Sequence, residues 1–209
     1  KPIIAWSIET AIKSGIFDKV IVSTDDDEIA AVAKEYGAEV PFIRPAELSD
    51  DNTGTSPVVK HAIRWLQSNG HEVEYACCIY ATAPFVQSKY LLEGFSKLKE
   101  FNKAYAFSVT SFPFPIQRAL RIVNDNQVEA IWPENTNSRS QDLEEAYHDA
   151  GQFYWGRADA FLSDVVLYSE ESVPIVLPRF LVQDIDTYED WQRAELMFDA
   201  LVKSGEICH

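Results

Sequence analysis

The chain has 209 residues, of which 46% are hydrophobic, so it can bury one core of the size of a single domain. Its 33 acidic and 18 basic residues give a formal net charge of -15, which argues against nucleic acid or an anionic membrane as a partner. The apolar runs are strand-sized, well short of the ~20 residues of a membrane span. Three cysteines (Cys77, Cys78 and Cys208) follow no CxxC spacing, which predicts reduced thiols in a cytoplasmic protein.

Helices and strands alternate through the first half of the chain. The predicted helices cover residues 1–15, 28–37 after Asp26 as a cap, 56–70 from Ser56 and Pro57, and 88–101 from Ser88. The predicted extended segments cover residues 19–24, 38–43, 75–81 and 104–110. Strands separated by helices of about a dozen residues imply parallel crossovers. We therefore expect a three-layer α/β/α fold with a mostly parallel sheet.

The alternation of helices and strands is interrupted between about residue 111 and residue 150. Prolines exclude long helices there, and the segments 118–123 and 128–132 flank a predicted hairpin turn at 124–127. Strands return at 152–156 and 173–178, and a last helix is predicted from Thr187 to Lys203, with Thr187 and Asp190 as a capping box. We interpret 1–209 as one domain with an excursion from the sheet.

Asp184 and Asp186 lie two residues apart in an extended stretch, so their side chains should share a face. Two carboxylates on one face suit Mg²⁺, which takes one or two protein carboxylates plus water and phosphate oxygens. Composition leaves open the alternative that both are merely solvated, and Asp190 is interpreted as a helix cap.

Two further clusters could bind ligands. The polar loop "RPAELSDDNTGTSP" suits recognition of a base or ribose through Arg44, Thr53 and Thr55, although Arg44 could instead pair with Glu47 in an ordinary surface loop. The stretch "SRSQDLEEAYHDAGQFYWG" combines polar and aromatic side chains that suit a carboxylated sugar, with His148 as the weakest candidate because a lone histidine is usually structural. Its candidate residues are Arg139, Gln141, His148, Asp149, Gln152 and Tyr154.

Several motifs are absent, among them GxGxxG, GxxxxGK[ST], GxSxG and HExxH, which argues against dinucleotide oxidoreductases, P-loop NTPases and serine hydrolases. Other enzymes with paired aspartates remain as alternatives. In nucleotide-sugar glycosyltransferases the pair follows the first half of the nucleotide-binding fold, and in haloacid dehalogenase phosphatases it ends the first strand, whereas here it precedes the last helix. A non-catalytic nucleotide sensor on the same fold also stays open.

The segment "DKVIVSTDDDEIAAVAKEYGAEVPFIRPAELSDD" resembles the CMP-sialate synthetases, the cytidylyltransferases that activate nonulosonic acids. The stretches "YATAPF" and "RSQDLEEAYHDAGQFYWG" look most like the pseudaminic acid branch of that family, with Tyr80 where the neuraminate enzymes have glutamine. The resemblance implies a Rossmann-like nucleotidyltransferase domain that joins CTP to a nonulosonic acid and releases pyrophosphate. CMP-neuraminate and CMP-legionaminate synthetases remain alternatives.

The resemblance also assigns residues. It implies Mg²⁺ on Asp184 and Asp186, and a homodimer formed by an arm over about 111–150. It matches Arg44, Thr53 and Thr55 to positions near the cytosine and ribose, and Arg139 and Tyr154 to sugar-side positions. Taken with the residue patterns, the predicted nucleotide-binding residues are Arg44, Thr53, Thr55, Tyr80 and Thr82, and the predicted sugar-binding residues are Arg139, Gln141, His148, Gln152 and Tyr154. The family's first strand and its triphosphate loop have no counterpart here. Because the chain starts at Lys1 without Met, we expect them upstream, and we expect activity of the full polypeptide.

Overall fold

The computed structural model describes residues 1–50, 52–124 and 126–207. Within these ranges the helices are α1 (Ile3–Ser14), α2 (Asp27–Glu35), α3 (Thr55–Ser68), α4 (Ser88–Glu100), α5 (Ala158–Leu162) and α6 (Tyr188–Ser204). The strands are β1 (Tyr75–Ile79), β2 (Tyr105–Ser111), β3 (Leu120–Val123), β4 (Gln127–Ala130), β5 (Tyr147–Arg157) and β6 (Ser172–Val176). Cys208 and position 125 of the predicted hairpin turn lie outside the described residues.

Local signals in the sequence set several helix ends correctly. Gly15 stops α1 in the left-handed conformation, with φ of 67°, which costs glycine little. Asp26 caps α2 by accepting hydrogen bonds from the backbone N–H groups of Glu28 and Ile29. Thr187 and Asp190 form the predicted capping box at the start of α6. The short helix α5 was not predicted.

The main sheet has four strands in the order β1-β5-β2-β6. β5 pairs antiparallel with both β1 and β2, whereas β2 and β6 pair in parallel, so three of the four strands run in one direction. The expected α/β architecture with a mostly parallel sheet is therefore confirmed, with β5 as the strand that makes it mixed. β5 is also longer than predicted, because it begins at Tyr147 rather than Gln152.

Helices cover both faces of this sheet. On one face, Leu91 and Leu98 of α4 pack with Phe153 and Trp155 of β5 in the largest core cluster. On the other face, Ile63 of α3 packs in a cluster with strand and α5 residues that include Tyr105 and Phe161. Because neighbouring strand residues point to opposite faces, β1 and β2 contribute to both clusters, with Tyr105 of β2 on one face and Ala106 on the other, and the expected three layers result.

The two extended segments predicted at 19–24 and 38–43 form a single parallel bridge, between Ile21 and Glu39, rather than full strands. Val22 N–H donates to the Glu39 carbonyl over 2.9 Å, and Glu39 N–H donates to the Val20 carbonyl over 2.8 Å. Pro41 lies two residues after Glu39 and has no backbone N–H to donate the next hydrogen bond of the ladder, which explains why the pairing is short.

β3 and β4 form the predicted hairpin, separate from the main sheet. Leu120, Ile122 and Val128 are 62%, 77% and 65% exposed, and their pairing places them on one face. Arg121 and Glu129 pair on the opposite face, with 3.0 Å between Nη2 and Oε2. The hairpin thus has one apolar and one charged face.

No helix within the described ranges is both long enough and apolar enough to cross a membrane. Cys77 and Cys78 of β1 are free thiols, as predicted, and burial raises the pKa of Cys78 to about 12.

Candidate active site

A cleft of about 1190 Å³ runs between the segment from Ile16 to Thr24 and the free edge of β1. Five predicted nucleotide-binding residues lie along its wall: Arg44, Thr53, Thr55, Tyr80 and Thr82. They come from three parts of the chain, so their convergence is a result of tertiary folding.

Arg44 is held at this wall by contacts that the sequence did not predict. Its Nη2 lies 3.2 Å from Asp25 Oδ1, and its Nε donates to Ser49 Oγ over 3.0 Å. The expected alternative partner, Glu47, is not involved in the ion pair that the structure places here. The guanidinium is therefore fixed in direction, and Asp25 offsets part of its charge.

Thr53 and Thr55 have different roles in the wall. The Thr53 backbone N–H and hydroxyl both donate to Asp50 Oδ1, over 2.7 and 2.8 Å, so Asp50 shapes the loop. These hydrogen bonds, first among them the one from the hydroxyl, lower the pKa of Asp50. Thr55 Oγ1 lies 2.9 Å from the Tyr80 hydroxyl, which connects the start of α3 with the end of β1 across the cleft.

The sugar-side residues are not gathered in one place. Arg139 is exposed and forms a two-point pair with Asp142, with distances of 2.8 and 3.1 Å, and Gln141 beside it is also exposed. His148 is half-buried, contacts Phe112 with 4.8 Å between ring centroids, and has Nδ1 2.8 Å from the Asp149 carbonyl. These contacts leave the sugar-side roles of all three residues as predictions.

Gln152 is 4% exposed, and its amide is used by the fold. Its side-chain Nε2 donates to the Leu181 carbonyl, and its backbone carbonyl accepts a hydrogen bond from the Tyr80 backbone N–H over 2.9 Å. This geometry favours a structural role over direct contact with a ligand. Gln152 thereby ties the rim of the cleft at Tyr80 to the segment that carries Asp184.

Tyr154 lies in a cluster of aromatic side chains beside the cleft. Its ring centroid is 5.2 Å from that of Tyr80 and 6.1 Å from that of Phe107. Its hydroxyl donates to Asp149 Oδ2 over 2.7 Å, and the Tyr168 hydroxyl donates to the same oxygen over 2.7 Å. Burial, and then the Asp149 carboxylate, raise the pKa of Tyr154, and the same two causes raise the pKa of Tyr168 to about 12.

Asp184 and Asp186 lie in a segment without regular secondary structure, ahead of α6, and both are exposed. Ile185 between them packs against a core cluster that contains Phe85 and Leu181, so the two carboxylates point away from the core. Neither belongs to an ion pair in the described structure, and neither lines the cleft.

The described residues contain no group of three or more acidic, histidine or cysteine side chains that could hold a metal ion. Two unpaired carboxylates separated by an inward-facing residue still fit Mg²⁺, because this ion keeps several water or phosphate ligands.

Two residues that contact predicted site residues were not predicted themselves: Asp25, which pairs with Arg44, and Tyr168, whose hydroxyl donates to Asp149. Each contact joins residues 19 positions apart in the sequence, so no local pattern indicates it. Asp149 belongs to the predicted polar and aromatic stretch, but its contacts with Tyr154 and Tyr168 were not predicted.

Comparison with known proteins identifies the family of this chain. The model of the cytidylyltransferase family matches residues 1–200. A pseudaminic acid cytidylyltransferase of Campylobacter jejuni is 44% identical over 198 residues, which cover 95% of this chain and 85% of that protein. An N-acylneuraminate cytidylyltransferase of Escherichia coli is 27% identical, over 93% of this chain and 45% of its own length.

A solved structure supports the fold. A CMP:2-keto-3-deoxy-manno-octonic acid synthetase, in complex with CTP, superposes with a TM-score of 0.65 at 11% identity, over 96% of this chain and 88% of that one. This likeness concerns the fold. The match over residues 1–200 and the 44% identity to the Campylobacter jejuni relative establish that the chain belongs to the cytidylyltransferase family.

Proposed function

We propose that this protein transfers a cytidylyl group from CTP to a nonulosonic acid, with pseudaminic acid as the preferred sugar. The observation that carries the proposal is the convergence of Arg44, Thr53, Thr55, Tyr80 and Thr82 on one cleft. The pseudaminic assignment is supported by 44% identity to the Campylobacter jejuni relative, against 27% to the neuraminate enzyme.

In the proposed reaction the anomeric hydroxyl of the sugar attacks the α-phosphorus of CTP. A bond forms between that oxygen and phosphorus, the bond from phosphorus to the β-phosphate oxygen breaks, and pyrophosphate leaves as the hydroxyl proton is lost. Such reactions depend on positioning and charge neutralisation. The cleft contributes to positioning through Arg44, whose direction is fixed by Asp25 and Ser49, and through the paired hydroxyls of Thr55 and Tyr80.

Charge neutralisation is the second requirement. The chain carries a formal charge of -15, and two cations of the cleft wall are already paired, Arg44 with Asp25 and Lys19 with Glu39. We propose that Asp184 and Asp186 hold Mg²⁺, which when bound would offset the negative charge of the phosphates. The contacts of Gln152 support this proposal, because they link the cleft rim at Tyr80 to Leu181, which shortly precedes Asp184 in the chain.

We further propose that the protein is a homodimer joined through the segment 111–150. The support is the apolar face of the β3–β4 hairpin, on which Leu120, Ile122 and Val128 are each more than half exposed. Exposed apolar faces of this kind mark interaction surfaces.

The test uses the full-length polypeptide, with Mg²⁺, CTP and, in parallel, pseudaminic, legionaminic and neuraminic acids, and measures pyrophosphate release. Pseudaminic acid should give the highest kcat/KM, and Asp186→Asn should lower kcat by about 100-fold, the order expected when a preorganised charge contact is removed. Asp199→Asn on the exposed face of α6 is the matched control and should keep wild-type turnover.

Wild-type turnover by Asp186→Asn at saturating Mg²⁺ would remove that carboxylate from the mechanism. A preference for another of the three sugars would correct the substrate. If the protein binds CTP but releases no pyrophosphate with any of the three sugars, the alternative of a non-catalytic nucleotide-binding domain is supported.

A further inference from the structure

An irregularity in the pairing of β5 with β2 brings the carboxylate of Asp149 to the Tyr154 hydroxyl, a contact that no sequence pattern indicated. Gly151 has φ of 61°, a left-handed conformation that glycine adopts readily, and the pairing of β5 with β2 shifts register at this point. The extra residues of β5 at this bulge let the Asp149 carboxylate contact the hydroxyl of Tyr154, five residues further on. The Gly151 N–H donates to Asp149 Oδ1 over 2.8 Å and fixes the carboxylate from the other side.

Asp149 is half-buried and forms no ion pair within the described part of the chain. Its charge is instead met by three hydrogen bonds, from the Gly151 N–H and from the hydroxyls of Tyr154 and Tyr168. These three hydrogen bonds hold the carboxylate in one orientation, so that it in turn orients both tyrosines.

The two tyrosines that Asp149 holds differ in exposure. Tyr154 is 7% exposed and lies against Tyr80, which lines the cleft, whereas Tyr168 is 67% exposed. The Tyr168 ring nevertheless has a defined position, because it meets Phe107 edge to face at 5.5 Å and its hydroxyl is bound. An exposed aromatic ring held from both ends is suited to packing against the face of a ligand.

The hydrogen-bond directions also have a chemical consequence. Both phenols donate their only proton to Asp149, so their oxygens can offer only lone pairs to any other partner. A ligand that contacts these oxygens must bring donors, such as the hydroxyl or amide N–H groups of an acylamino sugar. A phosphate or carboxylate would find no donor here, so this wall suits the polar edge of a sugar rather than the triphosphate.

We propose that Asp149 is a positioning residue that holds Tyr154 and Tyr168 as one wall for the sugar substrate, with the exposed Tyr168 ring as the contact surface. This inference rests on the proposed function. It extends that function by assigning Tyr168 to the sugar, and by giving Asp149, one of the candidates in the polar and aromatic stretch, the role of holding both tyrosines.

The experiment compares the full-length wild type with Asp149→Asn, Tyr168→Phe and Tyr168→Ala, with pseudaminic acid and CTP varied separately. Asp149→Asn and Tyr168→Ala should each raise the KM for the sugar about tenfold, which corresponds to about 1.4 kcal/mol, and change the KM for CTP less than about twofold. Tyr168→Phe should have a smaller effect, and combining it with Asp149→Asn should add little, because both remove the same hydrogen bond. Asp199→Asn controls for the loss of one negative charge.

A merely structural Asp149 would shift kcat and both KM values together, which would overturn the proposal. Should Asp149→Asn fail to fold, the Tyr168 variants still decide, because this ring is 67% exposed and its replacement does not open the core. Sugar KM values for Tyr168→Ala equal to wild type would also refute the wall. A wild type that turns over none of the sugars would instead refute the proposed function itself, and with it the substrate assigned to this wall.

Discussion

Replacing Gly156 by alanine should destabilise the protein, because a β-carbon has no room at this position of β5. It would lie 2.6 Å from Phe161 Cε2 and 2.6 Å from Tyr105 Cδ1, whereas carbon atoms in contact prefer about 3.5–4.0 Å. The two rings already meet edge to face, with 5.1 Å between centroids, and both belong to the core cluster beneath α3. One of them, or β5 itself, must move by roughly 1 Å.

Overpacking of this kind costs about 1–3 kcal/mol. In a domain of this size each kcal/mol lowers the melting temperature by about 2–4 °C, so Gly156→Ala should melt about 2–12 °C below wild type in a circular dichroism experiment. Gly54→Ala is the matched control, because Gly54 has an ordinary φ of -69° and a β-carbon added there would meet nothing within 4 Å. Equal melting temperatures for the two variants would refute the steric argument.

Two further predictions concern the arm and α6. Ile122→Glu should convert the proposed dimer into monomers, as measured by sedimentation velocity, whereas Arg121→Gln on the opposite face of the hairpin should leave the dimer intact. If the Ile122→Glu protein remains a dimer, the apolar face of the hairpin is not the interface. In the folded protein the pKa of Asp190 is lowered, chiefly by the hydrogen bond from the Thr187 hydroxyl. The ionised Asp190 carboxylate therefore stabilises the fold fully above the pKa of an unfolded aspartate, about 3.9, and this stabilisation is lost as the pH falls through the lower pKa of the folded state. The stability difference between wild type and Asp190→Asn should therefore shrink from pH 6 toward about pH 2 in urea unfolding, and a constant difference would contradict this.

Sequence reasoning performed best where an interaction is local. The stop at Gly15, the Asp26 cap and the Thr187–Asp190 capping box all lie within four residues of the groups they satisfy, and the structure contains each of them. The hairpin of β3 and β4 is likewise decided by neighbouring residues. The membership of the family was also accessible, because short ordered motifs survive in the chain without any knowledge of its contacts.

The candidate site was only partly accessible for the opposite reason. The loop with Arg44, Thr53 and Thr55 could be recognised as polar and too long for a simple connection, but the partner of Arg44 is Asp25, nineteen positions away, rather than the nearby Glu47. Gln152 looked like a ligand-binding residue by composition, yet it is buried and bound to the Leu181 carbonyl. Polarity alone does not distinguish a side chain that binds a ligand from one that satisfies a backbone group.

By itself, then, the sequence determined the helix ends, the hairpin and the family, because each depends on residues close together in the chain. Tertiary structure alone decided that β5 runs antiparallel between β1 and β2, that the segments around Ile21 and Glu39 share a single bridge, and that Asp149 holds two tyrosines. These features depend on which distant backbone groups meet when both faces of the sheet are covered. That outcome is set by the packing of the whole domain rather than by any one segment.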